Sequence, residues 1–362
     1  MSRGNILLAA GGTGGHLFPA ASLAGALTRR GYIVDLATDD RALKYGGEFP
    51  ARAIYPIPSA TTTGAGIASK IGAAVVLARG LIASVRLIRR LKPSAVIGFG
   101  GYPTVPPLFA ASLLGIPSIL HEQNAVIGRA NKFLAPRVTW VASGFPDLRG
   151  VGADKALYVG NPVRPAVLAA AAGPYPSSDD GRLKVLVTGG SQGARVFADI
   201  VPAALALLTP DERAGIQLTQ QARGEDLMRV AAACAKLQFP VDLAEFFADL
   251  PARIGGAHLV IGRAGASTVS ELAVIGRPSL LVPFPFALDQ DQAANAALLA
   301  EAGAATVIYQ SDFTPERLAE ELRAALRDPA RLQAAAAAAK ATGVANAAER
   351  LADLVARTAA PR

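Results

Sequence analysis

The sequence predicts an α/β protein of two similar halves, each a parallel sheet with helices on its faces. Three observations predict it. Ile6-Leu7-Leu8-Ala9-Ala10 reads as a buried strand and runs directly into Gly11-Gly12-Thr13-Gly14-Gly15-His16, then into a helix marked by Leu17, Leu23, Ala26 and Leu27. The same order restarts far along the chain: residues 183–188 read as a strand, and Gly189-Gly190-Ser191-Gln192-Gly193-Ala194-Arg195 as a glycine loop entering a helix. Third, 362 residues at 51% hydrophobic content favour two domains over one.

In the first half, residues 32–37 form the second strand, so the chain opens with a βαβ unit of Rossmann type. A dinucleotide fingerprint fits poorly. It needs a glycine where Leu17 stands, and Asp35 falls inside the strand rather than clearly at its end. Residues 56–68 read as a loop and 69–91 as a helix. On that helix Arg79, Arg86 and Arg90 share a face beside Ile71, Val75, Ile82 and Val85. Two readings stay open, a core helix with a solvated edge or a helix resting on anionic lipid. Residues 95–102 are a strand running into Gly100-Gly101. Residues 117–124 are another, ending in His121-Glu122-Gln123-Asn124. Ligands of open parallel sheets gather at such strand ends, and turn chemistry alone does not ask for four polar residues in a row. Strands at 138–142 and 156–159 complete the half.

Gly160-Asn161-Pro162-Val163-Arg164-Pro165 reads as the connecting turn. The expected division is 1–163, 164–340, and a last helical segment, 341–362, that packs back toward the first half. In the second half residues 241–247 run toward Asp249. Residues 258–262 form a strand, Arg263-Ala264-Gly265-Ala266-Ser267-Thr268 a loop, and Val269-Ser270-Glu271 a helix start. Residues 280–284 precede Asp289-Gln290-Asp291-Gln292 and Asn295, residues 307–308 suit a short edge strand, and the alanine run 334–339 favours helix.

The formal charge of +8 and a pI near 9.8 invite a polyanion or an anionic membrane surface. Aromatic residues make up only 6%, with no basic-aromatic motif, so nucleic acid is not expected as a partner. One cysteine, Cys234, forms neither an internal disulfide nor a cysteine zinc site and suits a reducing cytoplasm. No signal peptide is expected. The longest apolar stretch, around residues 71–91, is broken by Arg79 and Arg86, so the expectation is a soluble or peripheral chain.

The glycine loops carry the chemistry. Bare amides followed at once by a helix N-terminus make an anion seat. Glu271 has two readings. Thr268-x-x-Glu271 matches a capping box; alternatively its carboxylate accepts hydrogen bonds from a ribose diol, beside a diphosphate on the 265–268 amides. There is no nucleophile elbow, no Walker A and no metal-ligand cluster in the sequence, and Asp39-Asp40 and Asp179-Asp180 read as solvated. The expected ligand is a nucleoside diphosphate held by amides and arginine, with no metal and no cofactor.

The segments GGTGGHLFPA, GFGGYPTVPP, HEQNAVIGRANK, GNPVR, TGGSQGAR, RAGASTVSEL and DQDQAANA follow one another from residue 11 to about residue 297. In that combination the chain resembles the MurG family, bacterial glycosyltransferases that add N-acetylglucosamine to lipid I to make lipid II for peptidoglycan. The resemblance implies the GT-B fold, two Rossmann-like domains facing across a cleft, the first serving acceptor and membrane, the second UDP-N-acetylglucosamine. It implies donor contacts from Ser191, Phe247, Ala266, Ser267, Thr268, Val269, Ser270, Glu271 and Gln292, with Arg164 from the hinge. Glu271 would take the ribose hydroxyls. Gln292 and Asn124 would read the sugar, and Thr13, Gly14 and Gly15 would face the donor from the other domain. His16 is the implied base for the acceptor 4-hydroxyl, with Glu122 the second candidate, in an inverting displacement without metal.

Two departures from the family pattern stand out. Phe247 replaces an expected aliphatic residue whose backbone meets the uracil. The segment before Gln292 is one residue longer, so Gln290 competes with Gln292. The implied partners are UDP-N-acetylglucosamine, lipid I with its undecaprenyl diphosphate, anionic lipid on the cytoplasmic face of the inner membrane, and other cell-wall enzymes. Three other readings compete: a GT-B enzyme with a different lipid acceptor, a UDP-N-acetylglucosamine 2-epimerase, and a non-enzymatic membrane-bound scaffold.

Overall fold

A computed structural model describes residues 3–11, 13–39, 49–59, 67–177, 181–190, 193–287 and 291–360, except the side chains of 67–71. The chain divides into two units, Met1–Arg164 with Ala345–Arg362, and Pro165–Val344.

The first unit runs β1 (Asn5–Ala9), α1 (Gly14–Arg29), β2 (Ile33–Thr38), β3 (Ala53–Pro56), α2 (Ile67–Leu91), β4 (Ala95–Gly98), α3 (Val105–Leu113), β5 (Ser118–Glu122), α4 (Arg129–Leu134), β6 (Trp140–Ser143) and β7 (Ala156–Tyr158). Its seven strands lie in the order β3-β2-β1-β4-β5-β6-β7, with every pairing parallel. The strand order reverses at β1 and β4, so their exit loops meet at a switch point. Successive residues of a strand serve opposite faces. Ile6, Leu8 and Ile97 pack with Leu23 and Leu27 of α1 and Leu351 and Val355 of the C-terminal helix, Ala347–Ala359. Leu7, Ala9 and Val96 pack with Leu87 and Ile88 of α2 and Leu108 of α3.

β3 was not expected: it is an edge strand of only four residues and ends in proline. Beside it, Arg52 Nε donates to Asp35 Oδ1 at 3.1 Å, which explains a carboxylate buried to 1% exposure within β2. Helix α2 has one buried and one exposed face. Ala73, Ser84, Leu87 and Ile88 are buried, while Arg79, Arg86 and Arg90 are exposed and Val75 and Ile82 are each 52% exposed.

The unit boundaries differ slightly from those expected. Arg164 stays with the first unit, its guanidinium 4.6 Å above the Phe18 ring of α1, while Ser22 Oγ donates to Val163 O at 2.9 Å. The return begins at Ala345 rather than residue 341, because Lys340 Nζ donates to Val274 O at 2.9 Å and a Cβ on Gly343 would lie 2.6 Å from Ala273 O.

The second unit runs α5 (Pro165–Ala171), β8 (Leu183–Thr188), α6 (Arg195–Ala206), α7 (Pro210–Ala214), β9 (Ile216–Gln221), α8 (Gly224–Lys236), β10 (Val241–Ala244), α9 (Leu250–Gly256), β11 (Leu259–Gly262), α10 (Ala266–Ile275), β12 (Ser279–Leu281), α11 (Asp291–Glu301), β13 (Ala305–Val307), α12 (Pro315–Arg327) and α13 (Pro329–Thr342). Six parallel strands lie in the order β10-β9-β8-β11-β12-β13, again reversing at the first strand of the unit. Val185, Val187, Phe197, Leu218, Ile261 and Leu322 anchor its core. Among the described residues, no helix is long and apolar enough to cross a membrane.

Candidate active site

In the first unit α1 begins at Gly14, with Thr13 at its N-cap. The Thr13 hydroxyl makes no capping bond; it lies 2.8 Å from His16 Nδ1. Thr13 and Gly15 are exposed, Gly14 is buried and His16 half-buried, while Gly12 lies outside the described residues. Glycine backbone walls the imidazole. A Cβ on Gly11 would lie 3.2 Å from Nδ1, one on Gly100 3.5 Å from Cδ2, and one on Gly101 3.5 Å from Cε1. Gly100 and Gly101 also have φ of +84° and +78°, a region side chains avoid. Thr104 Oγ1 donates to Gly100 O at 2.6 Å and Gln123 Nε2 to Phe99 O at 2.7 Å, fixing this wall.

The polar run after β5 divides its labour. Glu122 is buried. Its Oε1 accepts from the Asn124 backbone N–H at 2.9 Å and Asn124 Nδ2 at 3.3 Å; its Oε2 accepts from the Gly128 N–H at 3.0 Å and Asn131 Nδ2 at 2.7 Å. Burial pushes the carboxyl above the ordinary range, and the four donors pull it partly back. The carboxylate therefore closes residues 124–131 into a fixed loop. Asn131 in turn lies against Gly100, where a Cβ would come within 3.2 Å of its Nδ2. The loop and the wall of His16 are thus packed together.

His121 is wholly buried, with Nε2 3.1 Å from Gly160 O, and burial holds its pKa down to about 4. It is neutral at pH 7, so Nε2 carries the proton and donates to that carbonyl. Asn161 Nδ2 donates to Gln123 O at 2.9 Å. Asn124 is the half-buried member of the run.

In the second unit α10 starts at Ala266, with Gly265 at the N-cap and no side-chain cap. Val269 N–H donates to Gly265 O at 3.0 Å. The amides of Ala266, Ser267 and Thr268 precede that first helical bond and face out of the helix start, an anion seat. The capping-box reading of Thr268 and Glu271 is corrected here. Both residues lie inside the helix, and Glu271 is buried in its second turn. Val269 is buried and Ser270 half-buried. A true capping box occurs at Thr209 and Glu212 of α7.

The remaining candidates surround the exits of neighbouring strands. Phe247 turns its ring into the unit beneath the Arg253 guanidinium, 4.2 Å away. Gln292 Oε1 accepts from Phe284 N–H at 3.0 Å, and Asn295 Nδ2 donates to Ala264 O at 3.2 Å. Arg263 Nη1 donates to Val282 O at 3.0 Å and Nη2 to Gln310 Oε1 at 2.6 Å. Burial and then the charge of Arg223 lower Arg263 to about 10, so it remains a cation at pH 7. Ser191 and Gln290 lie outside the described residues. Sequence reasoning missed Gln221, at the end of an unexpected β9. The alternation Ile216, Leu218, Gln220 was its only signal, and it was weak.

Two parallel α/β units whose glycine loops open onto helix starts define the GT-B class of glycosyltransferases. The model of the glycosyltransferase family 28 N-terminal domain matches residues 6–143, and that of the family 28 C-terminal domain residues 184–351. A Methylobacterium sp. (strain 4-46) protein named UDP-N-acetylglucosamine--N-acetylmuramyl-(pentapeptide) pyrophosphoryl-undecaprenol N-acetylglucosamine transferase is 56% identical over 359 residues, 98% of this chain and 96% of that protein. The crystal structure of Acinetobacter baumannii MurG is similar at a TM-score of 0.78 and 30% identity, over 98% of this chain and 99% of that one. The UDP-GlcNAc 2-epimerase of Neisseria meningitidis, bound to UDP-GlcNAc, reaches a TM-score of 0.70 over 98% of this chain and 100% of its own, but at 14% identity it shares the fold alone. The chain belongs to the MurG family of N-acetylglucosamine transferases.

Proposed function

We infer that this chain transfers N-acetylglucosamine from UDP-N-acetylglucosamine to lipid I, the undecaprenyl diphosphate-linked muramoyl peptide, giving lipid II for peptidoglycan. The observation that carries this is near-full-length identity of 56% to a protein named for that transfer. In the proposed step the acceptor 4-oxygen attacks the anomeric carbon from the face opposite UDP. The bond from that carbon to the diphosphate breaks, and the acceptor proton passes to His16. The glycine-walled seat of His16 supports this role. Base chemistry at Nε2 requires the tautomer in which Nδ1–H donates to Thr13 Oγ1.

Thr13, Gly14 and Gly15 meet the donor at the start of α1. The carboxylate of Glu122, already holding four donors, positions Asn124 rather than taking the proton. The amides of Ala266, Ser267 and Thr268 hold the departing diphosphate and Glu271 the ribose hydroxyls. Val269 and Ser270 continue that helix start. Gln292 reads the sugar, Phe247 meets the uracil through its backbone, and Ser191 and Arg164 complete the donor contacts. The basic, apolar face of α2 rests on anionic lipid at the cytoplasmic face of the inner membrane, where the acceptor's polyprenyl chain lies.

The test is incubation of purified protein with UDP-N-acetylglucosamine and a soluble lipid I analogue. Formation of the disaccharide product supports the reading. Transfer to diacylglycerol instead, or release of N-acetylmannosamine without acceptor, replaces it.

A further inference from the structure

Gln221 ends β9, between the exits of β8 and β10. Its side chain is buried, and its amide makes four hydrogen bonds. Oε1 accepts from Thr188 Oγ1 at 3.0 Å and from the Gly189 N–H at 3.1 Å; Nε2 donates to Gly190 O at 3.0 Å and Glu245 O at 3.1 Å. The partners fix the amide's orientation, since a backbone N–H only donates and the two carbonyls only accept. Gly190 O also accepts from Gly193 N–H at 3.1 Å, so the carbonyl that closes the glycine loop is one that Gln221 holds. The described glycines of that loop are tightly constrained. Gly190 and Gly193 have φ of +77° and +64°, and a Cβ on Gly189 would lie 2.2 Å from Ala194 N. On the other side, Glu245 stands two residues before Phe247. The neighbouring Gln220 behaves differently: it points into the core, where Nε2 donates to Phe197 O at 3.3 Å and Oε1 has no partner.

We propose that Gln221 is a positioning residue for the donor nucleotide: one buried amide holds Gly189 and Gly190, after β8, and Glu245, after β10, at the spacing a uridine diphosphate requires. This rests on the donor reading above. Each segment keeps its own backbone bonds without the amide, including Ala222 N–H to Ala244 O at 3.0 Å, so the unit holds together while the spacing is released. Both affinity for uridine diphosphate and preference for its base then fall, whereas the acceptor side is untouched.

The experiment compares the full chain with Gln221→Ala and Gln221→Glu. Calorimetric titration with uridine and adenosine diphosphates is paired with KM for donor and acceptor and with thermal melting. Gln221→Glu keeps the acceptor for Thr188 and Gly189 but loses both N–H donors, so it serves where the alanine variant unfolds. The expected result is a loss of about tenfold or more in uridine diphosphate affinity. The uridine-to-adenosine preference should also be smaller, the donor KM raised and the acceptor KM unchanged. Wild-type affinity and base preference in a variant that merely melts earlier would overturn the proposal. So would unfolding of both variants, since the amide then holds the unit rather than the pocket. Failure of the wild-type protein to bind uridine diphosphate would instead bring down the donor reading, and this proposal with it.

Discussion

Nδ1 of His16 lies 2.8 Å from the hydroxyl oxygen of Thr13, three residues earlier at the N-cap of the same helix. A threonine at that position ordinarily bonds the backbone of its helix; here it orients an imidazole. His16→Ala should lower turnover by about 10²–10⁴-fold, the usual scale of general-base loss. Thr13→Val keeps the shape but removes the oxygen, and should lower turnover by about tenfold without loss of stability. Near-normal turnover in His16→Ala, measured at saturating donor, would move the proton to another group.

Variants at the start of α10 separate the proposed nucleotide contacts from helix capping. Because neither Thr268 nor Glu271 caps the helix, Thr268→Ala should change stability by less than about 0.5 kcal/mol. Thr209→Ala, which dismantles a real capping box, should cost about 1 kcal/mol. Glu271→Ala should raise the donor KM strongly. Denaturant melts of the three variants beside donor titrations check this. An unchanged donor KM in Glu271→Ala would remove the ribose contact.

Glu122→Gln tests the difference between a base and a clamp. An amide keeps one acceptor oxygen but turns an NH₂ toward donors that now bond Glu122, leaving Gly128 N–H or Asn124 N–H unmet. The expected loss is about 1–3 kcal/mol of stability, with a raised donor KM, since Asn124, the residue proposed to read the donor sugar, loses the acceptor that positions it. Unchanged melting with lost turnover would return Glu122 to the role of proton acceptor.

Buried His121 makes the first unit sensitive to acid. Its folded pKa, about 4, lies below the ordinary 6.5. The neutral ring therefore favours the folded state above pH 6.5, and that contribution is lost as pH falls from 6.5 toward 4. The loss should approach about 3 kcal/mol across that window. His121→Phe gives up the bond to Gly160 O and is less stable at neutral pH, but its stability should be flatter over the same range. Parallel slopes for the two proteins in urea melts would refute the assignment.

Much of the fold was legible because parallel strands buried on both faces read as unbroken apolar runs. Residues 6–9 and 259–262 are of this kind. β3 and β9 escaped because edge exposure and alternation dilute that signal. The strand-to-helix order around the glycine loops was legible, since apolar runs and glycine alone set it. The fit of His16 against Gly100 and Gly101 was not, because it depends on a contact between residues far apart in the chain. The setting of Glu122 was hidden for the same reason: the four donors to its carboxylate, the furthest nine residues away, come together only in the fold.

The outer face of α2 supplies the last prediction. Arg79, Arg86 and Arg90 are exposed, and Val75 and Ile82 stand half in solvent on the same helix. A soluble surface gains nothing from such exposed apolar residues beside arginines, whereas an anionic bilayer rewards both, at about 1 kcal/mol per basic residue near the surface. Replacing the three arginines by glutamate should weaken binding to phosphatidylglycerol vesicles by about 100-fold or more. Ile82→Ser should weaken it less, and neither change should alter transfer to a soluble acceptor. If the triple variant sediments with vesicles as the wild type does, α2 is a core helix with a solvated edge, and the membrane contact must be sought on another face.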